Sequence, residues 1–212
     1  MIFEQIACGG DRNFAYIIGD EESGTGALVD PAYNTEGICA RADELGFEIT
    51  HVINTHGHYD HAGGNQDVCG RTGGQTVAHD SAGGQDIPVC DGDSLDIGHI
   101  SLKFIHTPGH TPDSMCVLAG KRLCTGDTLF VGKVGGTGFG NDARQEYESL
   151  HTKLMCLDDE IEVYPGHDVG VRPVSTIGEE KEENPFLLCP DFESFLDLKK
   201  NWAQYKREHG IK

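Results

Sequence analysis

The sequence predicts a layered α/β fold, and three observations carry that prediction. Apolar runs of strand length alternate with amphipathic runs of helix length. The stretch from Ile87 to Leu118 alternates apolar and polar residues between turns at Asp91-Gly92 and Pro108-Gly109. That pattern is antiparallel β in character and argues against a simple doubly wound parallel sheet. Finally, no fixed-period repeat and no low-complexity linker divides the 212 residues, a length that suits one well-buried domain.

Taken in order, Ile2–Ala7, Phe14–Gly19 and Gly26–Asp30 are short apolar runs bounded by Gly and Asp, and read as strands. Thr35–Leu45 has helical spacing and stops before Gly46, a C-terminal capping glycine. Ile49–Asn54 reads as a buried strand, Asp60–Cys69 as helical, and Gln75–Ala78 as another strand. Arg122–Thr125 is a strand leading into Gly126-Asp127, and Gly-rich residues 130–143 form a loop placed over a site. An amphipathic helix over Arg144–Leu157 precedes a strand at Ile161–Tyr164. Thr176-Ile177-Gly178-Glu179 has the form of a capping box, opening a helix that Asn184-Pro185 should end. The last helix, Asp191–Glu208, is closed by Gly210 and carries Phe192, Phe195, Leu196, Leu198 and Trp202 on one core-facing stripe. The domain expected is a single one over 1–212, with a core of about 1–175 and a C-terminal helical extension of about 176–212.

Composition narrows the function classes. Acidic residues outnumber basic ones 35 to 16, a net charge of −19 that repels phosphate backbones and argues against nucleic acid as a partner. Met1-Ile2-Phe3-Glu4-Gln5 lacks a basic n-region, and no apolar run approaches the roughly 20 residues of a spanning helix. A cytoplasmic protein with no membrane partner is therefore expected. The eight cysteines show no C-x-x-C pair and read as buried free thiols, with Cys116 and Cys124 flanking a hairpin turn as cross-strand neighbours. Oligomeric state has no signature in the sequence.

The chemistry is concentrated in Thr55-His56-Gly57-His58-Tyr59-Asp60-His61, where four metal-ligating side chains fall within six residues directly after a strand. A loop leaving a strand end can turn all four toward one point, whereas a strand would alternate them across its faces. Imidazole and carboxylate together suit divalent cations such as zinc, with iron and manganese as alternatives. Three later motifs add candidates: His110 in His106-Thr107-Pro108-Gly109-His110-Thr111, Asp127 in Gly126-Asp127-Thr128-Leu129-Phe130, and His167 in Tyr164-Pro165-Gly166-His167-Asp168. Singly, each reads as a turn or a helix cap. In this order, behind the first cluster, they are specific. Of the remaining histidines, His106 alone lies close enough to a motif to be an outer partner of a ligand.

This set resembles the metallo-β-lactamase superfamily over about residues 1–185, and within it the glyoxalase II (hydroxyacylglutathione hydrolase) and persulfide dioxygenase branch. The resemblance implies a four-layered αβ/βα sandwich with metals at one edge between two sheets. It implies two divalent ions: His56, His58 and His110 on the first, Asp60, His61 and His167 on the second, and Asp127 bridging. It also makes Asp60 and His61 catalytic. Two cations sharing a hydroxide supply a nucleophile at neutral pH, and the substrate implied is a small thioester, glutathione-linked in this branch.

The branch holds two reactions. His61-Ala62-Gly63-Gly64-Asn65 and Gly126-Asp127-Thr128-Leu129-Phe130 look like glyoxalase II, the reading preferred here. Tyr164-Pro165-Gly166-His167-Asp168, with Asn184-Pro185 beyond it, looks more like the persulfide dioxygenases. Those enzymes use one iron, for which the matching ligands are His56, His110 and Asp127. A hydrolase of another small ester and a non-catalytic binding module are the more distant alternatives. Neither branch's substrate-contacting loop is matched by Gly132–Phe139. Lys133 and Arg172, each a few residues past a ligand motif, are the candidate anchors for a substrate carboxylate.

Overall fold

A computed structural model describes residues 1–210. In chain order the elements are β1 (Ile2–Gly9), β2 (Asn13–Asp20), β3 (Thr25–Val29), α1 (Thr35–Glu44), β4 (Glu48–Ile53), α2 (Tyr59–Ala62), α3 (Asn65–Thr72), β5 (Gln75–His79) and β6 (Ile87–Val89). There follow β7 (Ser94–Ile97), β8 (Ile100–His106), β9 (Met115–Ala119), β10 (Arg122–Gly126), β11 (Leu129–Phe130), β12 (Lys133–Val134) and α4 (Asn141–Thr152). The chain closes with β13 (Glu162–Pro165), β14 (Ser175–Thr176), α5 (Ile177–Glu183) and α6 (Phe192–His209).

Two six-stranded sheets form, in the orders β1-β2-β3-β4-β5-β6 and β14-β13-β10-β9-β8-β7. Three apolar layers show how they stack. Phe14, Tyr16 and Ile18 of β2 meet Met115, Val117 and Ala119 of β9 in the layer between the sheets. The alternate residues Ala15 and Ile17 face Ile38 and Ala42 of α1. On the far side, Leu123 and Val163 pack against Leu150 of α4 and Phe195 of α6. Strands buried on both faces must be apolar at successive positions. That is why β2 reads as a continuous apolar run, and the result is the αβ/βα sandwich.

Several expectations change on contact with the fold. The helical reading of Asp60–Cys69 becomes two helices broken at Gly63-Gly64, where a Cβ on Gly64 would lie 2.0 Å from the Pro31 carbonyl oxygen. Ile87–Val89 leaves the antiparallel run and pairs in parallel with β5 in the first sheet, so the antiparallel order begins only at β7. The loop 130–143 is opened by a small β11-β12 hairpin, and α4 starts earlier than Arg144 and ends at Thr152. Cys116 and Cys124 are not cross-strand neighbours. Cys124 lies opposite Val117, which puts the two thiols on opposite faces of the sheet. All eight cysteines are free, but Cys90 and Cys156 are exposed rather than buried.

The local signals at the C-terminal end hold. The capping box at Thr176 and Glu179 is formed in both directions. In α6, Asp191 accepts from the Ser194 N–H at the start, and Gly210 takes a left-handed φ of 66° at the end. Of the predicted stripe, Phe192, Phe195, Leu198 and Trp202 join the outer apolar layer, while Leu196 stays outside it. Ile211 and Lys212, the end of the expected extension, lie outside the described residues. Among the described residues no helix is long and apolar enough to cross a membrane.

Phe195 is fully buried against Tyr147 and Phe186, at ring distances of 5.4 and 5.7 Å. Phe195→Ala should therefore cost about 3–5 kcal/mol of folding stability. Guanidinium denaturation checks this, and a loss below about 1 kcal/mol would mean that α6 is not docked as described.

Candidate metal centre

Three strand ends and one hairpin loop meet at one edge of the sandwich. β4 runs into Asn54-Thr55-His56, β10 into Asp127, β13 into Gly166-His167, and the β8–β9 connection carries His110. Backbone bonds hold these ends together across the sheets. The Met115 N–H donates to the Thr55 carbonyl at 2.8 Å, Gly166 N–H to Gly126 at 2.8 Å, and Phe14 N–H to Gly166 at 2.8 Å. Two glycines are required by this crowding. Gly126 has φ 48° with Thr55 against it, and a Cβ on Gly166 would sit 2.5 Å from Asp127 Oδ1 and 2.7 Å from the His61 ring.

All seven candidate ligands converge here. His58 Nδ1 stands 3.0 Å from His56 Nε2 and 3.0 Å from His110 Nε2. His61 Nε2 and His167 Nε2 are 3.1 Å apart, with Asp60 Oδ2 3.4 Å from the latter. Asp127 lies between the two clusters. Its Oδ1 is 3.3 Å from His61 Nε2 and 3.4 Å from His167 Nε2, while its Oδ2 is 3.6 Å from His110 Nε2. Three sets of groups could each hold a metal ion: His56, His58 and His110; His56, His61 and Asp127; and Asp60, His61 and His167.

The donor set fits divalent cations on its own geometry. His61 and His167 each turn Nδ1 to an acceptor oxygen, so in the neutral rings their Nε2 lone pairs face each other at 3.1 Å, and Asp127 Oδ1 is buried with no hydrogen-bond partner among the described residues. The charges are strained in the same sense. Burial and the neighbouring His61 push His56 down to about 3. Against its own burial, Asp30 and Asp127 drive His61 up to about 10. Asp127 stays well below the usual carboxylate range despite burial, because the His167 and His61 imidazoles crowd against its carboxylate.

Three of the five rings are aimed by their other nitrogen. His61 Nδ1 is 2.9 Å from Asp30 Oδ2, His110 Nδ1 is 2.7 Å from the Gly136 carbonyl, and His167 Nδ1 is 2.9 Å from the Asp11 carbonyl. Thr55 fixes Asp30, donating its N–H at 2.8 Å and its hydroxyl at 2.6 Å. Asn13 Nδ2 donates to the Asp60 carbonyl at 2.9 Å. His106, the expected outer partner, instead stacks on His79 at 3.7 Å and bonds the Pro112 carbonyl. Asp30 and Asn13 were not singled out in the sequence. Asp30 does carry the same strand-end Asp signal as Asp127, and its φ of 51° is left-handed.

Of the two candidate anchors, Arg172 is engaged by Glu179 at 2.8 Å and Glu183 at 3.7 Å. Lys133 is half-buried on β12, its ammonium 5.1 Å from the Phe130 ring, and burial together with Lys206 and Arg12 lowers its pKa. Phe130 in turn stands 6.0 Å from the His167 ring. A cavity of about 340 Å³ opens beside Lys133, with Val131, Val171, Trp202 and Lys206 among its walls.

The family model described as the metallo-beta-lactamase superfamily matches residues 8–85 and 79–167. A hydroxyacylglutathione hydrolase of Polaromonas sp. is 39% identical over 177 residues, 79% of this chain and 67% of that protein. The human mitochondrial persulfide dioxygenase ETHE1 is 34% identical over 199 residues, 90% of this chain and 77% of that protein. The crystal structure of ETHE1 from Myxococcus xanthus superposes with a TM-score of 0.89 at 36% identity, covering 95% of this chain and 91% of that one. With the sandwich, the His/Asp metal-binding cluster at its edge and these matches in agreement, the chain belongs to the metallo-beta-lactamase superfamily.

Proposed function

We propose that this chain is a binuclear metal-dependent hydrolase that cleaves a small thioester of the hydroxyacylglutathione type. The observation that carries this reading is the division of the Asp127 carboxylate, one oxygen toward His110 and the other toward His61 and His167. A carboxylate so placed can serve two ions, His56, His58 and His110 completing one site and Asp60, His61 and His167 the other. Zinc suits such a nitrogen and oxygen set, as do iron and manganese. Bound metals would supply activated water at neutral pH and polarise the thioester carbonyl. The protein's own part is to aim the imidazoles through Asp30, Gly136 and Asp11, and to place Asp60 and His61 beside the reacting carbonyl. Residues 176–210 belong to the same domain in this reading, since Phe186 and Phe195 share one apolar layer with Leu123.

Anchoring an anionic substrate on a chain of net charge −19 needs a local reversal of sign. Lys133 and Lys206, at the cavity beside Phe130, provide it, and Arg172 does not, because two glutamates hold it. A second reading, a mononuclear iron persulfide dioxygenase using His56, His110 and Asp127, is favoured by the match to ETHE1 over nine-tenths of both chains.

Metal analysis decides between the two readings. A hydrolase should load two ions per chain and cleave lactoylglutathione, whereas one iron per chain with oxygen uptake on glutathione persulfide would overturn it. Asp30→Asn keeps the shape but presents a donor to His61, so metal affinity at the Asp60, His61 and His167 site should fall by about 10- to 100-fold. Competition with a chelator measures this, and unchanged affinity would remove Asp30 from its aiming role. For Lys133→Ala, KM for an anionic thioester should rise about tenfold, near 1.4 kcal/mol, with kcat and an uncharged thioester little affected. Equal KM values for wild type and variant would exclude Lys133 as the anchor.

A further inference from the structure

Behind the cluster, Glu146 of α4 and Lys199 of α6 form an ion pair with side chains only 1% and 6% exposed. Pairs this buried contribute little net stability, and apolar replacements often do as well. Stability is therefore a weak reason for this one, and its surroundings supply another. Lys199 Nζ also donates to the Gly135 carbonyl at 2.8 Å, and Glu146 Oε1 is left without a partner among the described residues. The aromatic rings of Phe195 and Phe186 hold the lysine from the side, at 5.4 and 6.0 Å.

The pair touches two loops of the site at once. The turn before His110 lies flat on α4, where a Cβ on Gly109 would come 2.4 Å from Glu146 Cβ. Gly135 lies as closely on Asp127, and a Cβ there would be 1.9 Å from the Asp127 carbonyl oxygen. The next carbonyl along, that of Gly136, is the one that receives His110 Nδ1. Two glycines in succession have the greatest backbone freedom and no side chain to fix them. Their carbonyl directions must be imposed from outside.

We propose that the Glu146–Lys199 pair is a positioning device through which the C-terminal helix sets the His110 imidazole. Lys199 pins the Gly135 carbonyl, which orients Gly136, which holds Nδ1–H of His110 so that Nε2 is presented to the cluster. Neither residue touches a reacting atom. The inference rests on His110 being a metal ligand, and its test separates the two.

Metal-stripped protein is titrated with cobalt(II), whose visible absorption reports each site, and apo-protein thermal stability is recorded in parallel. His110→Ala identifies the absorption band that depends on that ligand. Should it change neither site, the ligand assignment itself falls. Lys199→Met should weaken cobalt at the His110 site by about 10- to 100-fold and leave the other site as in wild type. Glu146→Met/Lys199→Met removes both buried charges and should regain the apo-protein melting temperature while the affinity loss persists, since the Gly135 carbonyl still lacks its donor. An affinity that returns along with stability in the double variant, or that is unchanged in Lys199→Met, overturns the proposal.

Discussion

The Asp127 carboxylate, shared between His110 on one side and His61 with His167 on the other, is the contact around which this molecule is organised. Those partners come from separate segments, so bringing them to one carboxylate requires β4, β10 and β13 to end at the same edge. The sheets must also be close enough for Thr55 to accept from Met115. The glycines at 126 and 166 follow from that crowding, because no side chain fits where the strand ends cross. A buried carboxylate oxygen without a proton donor, facing imidazoles, is tolerable where a cation completes the set.

Around that centre the protein places hydrogen bonds that set three of the five rings before any ion arrives. His61, His110 and His167 all spend one nitrogen on a fixed oxygen of Asp30, Gly136 or Asp11. Preset orientation lowers the entropy lost when ligands close on a metal, and it makes the outer residues nearly as important as the inner ones. Two of the three outer oxygens are main-chain carbonyls. Such contacts depend on backbone placement, which is supplied by packing far from the cluster, including α6 through Lys199.

The charge distribution complements this geometry. The chain carries a net charge of −19, yet the wall next to Phe130 carries Lys133 and Lys206, and burial first, then the neighbouring Lys206 and Arg12, lower the Lys133 pKa. In the proposed function an anionic substrate would offset that repulsion. Arg172 shows the contrast, since its guanidinium is already neutralised by Glu179 and Glu183.

What the sequence by itself determined is what depends on neighbours a few residues away. The His-x-His-x-Asp-His cluster, the turns bearing His110 and His167, the capping box at Thr176 and the left-handed Gly210 are all local, and each forms as the residues dictate. Tertiary structure decided the rest. Ile87–Val89 is an apolar triplet with no direction of its own, and joined the first sheet because β5 offered a parallel edge. Cys116 and Cys124 parted to opposite faces through a register of one residue. Asp30 and Asn13 reached the site from 31 and 47 residues away, and Lys199 reached Glu146 across 53. Contacts at such separations leave no periodicity in the chain, because they are set by which strand ends and helix faces the sandwich brings together rather than by any spacing along it.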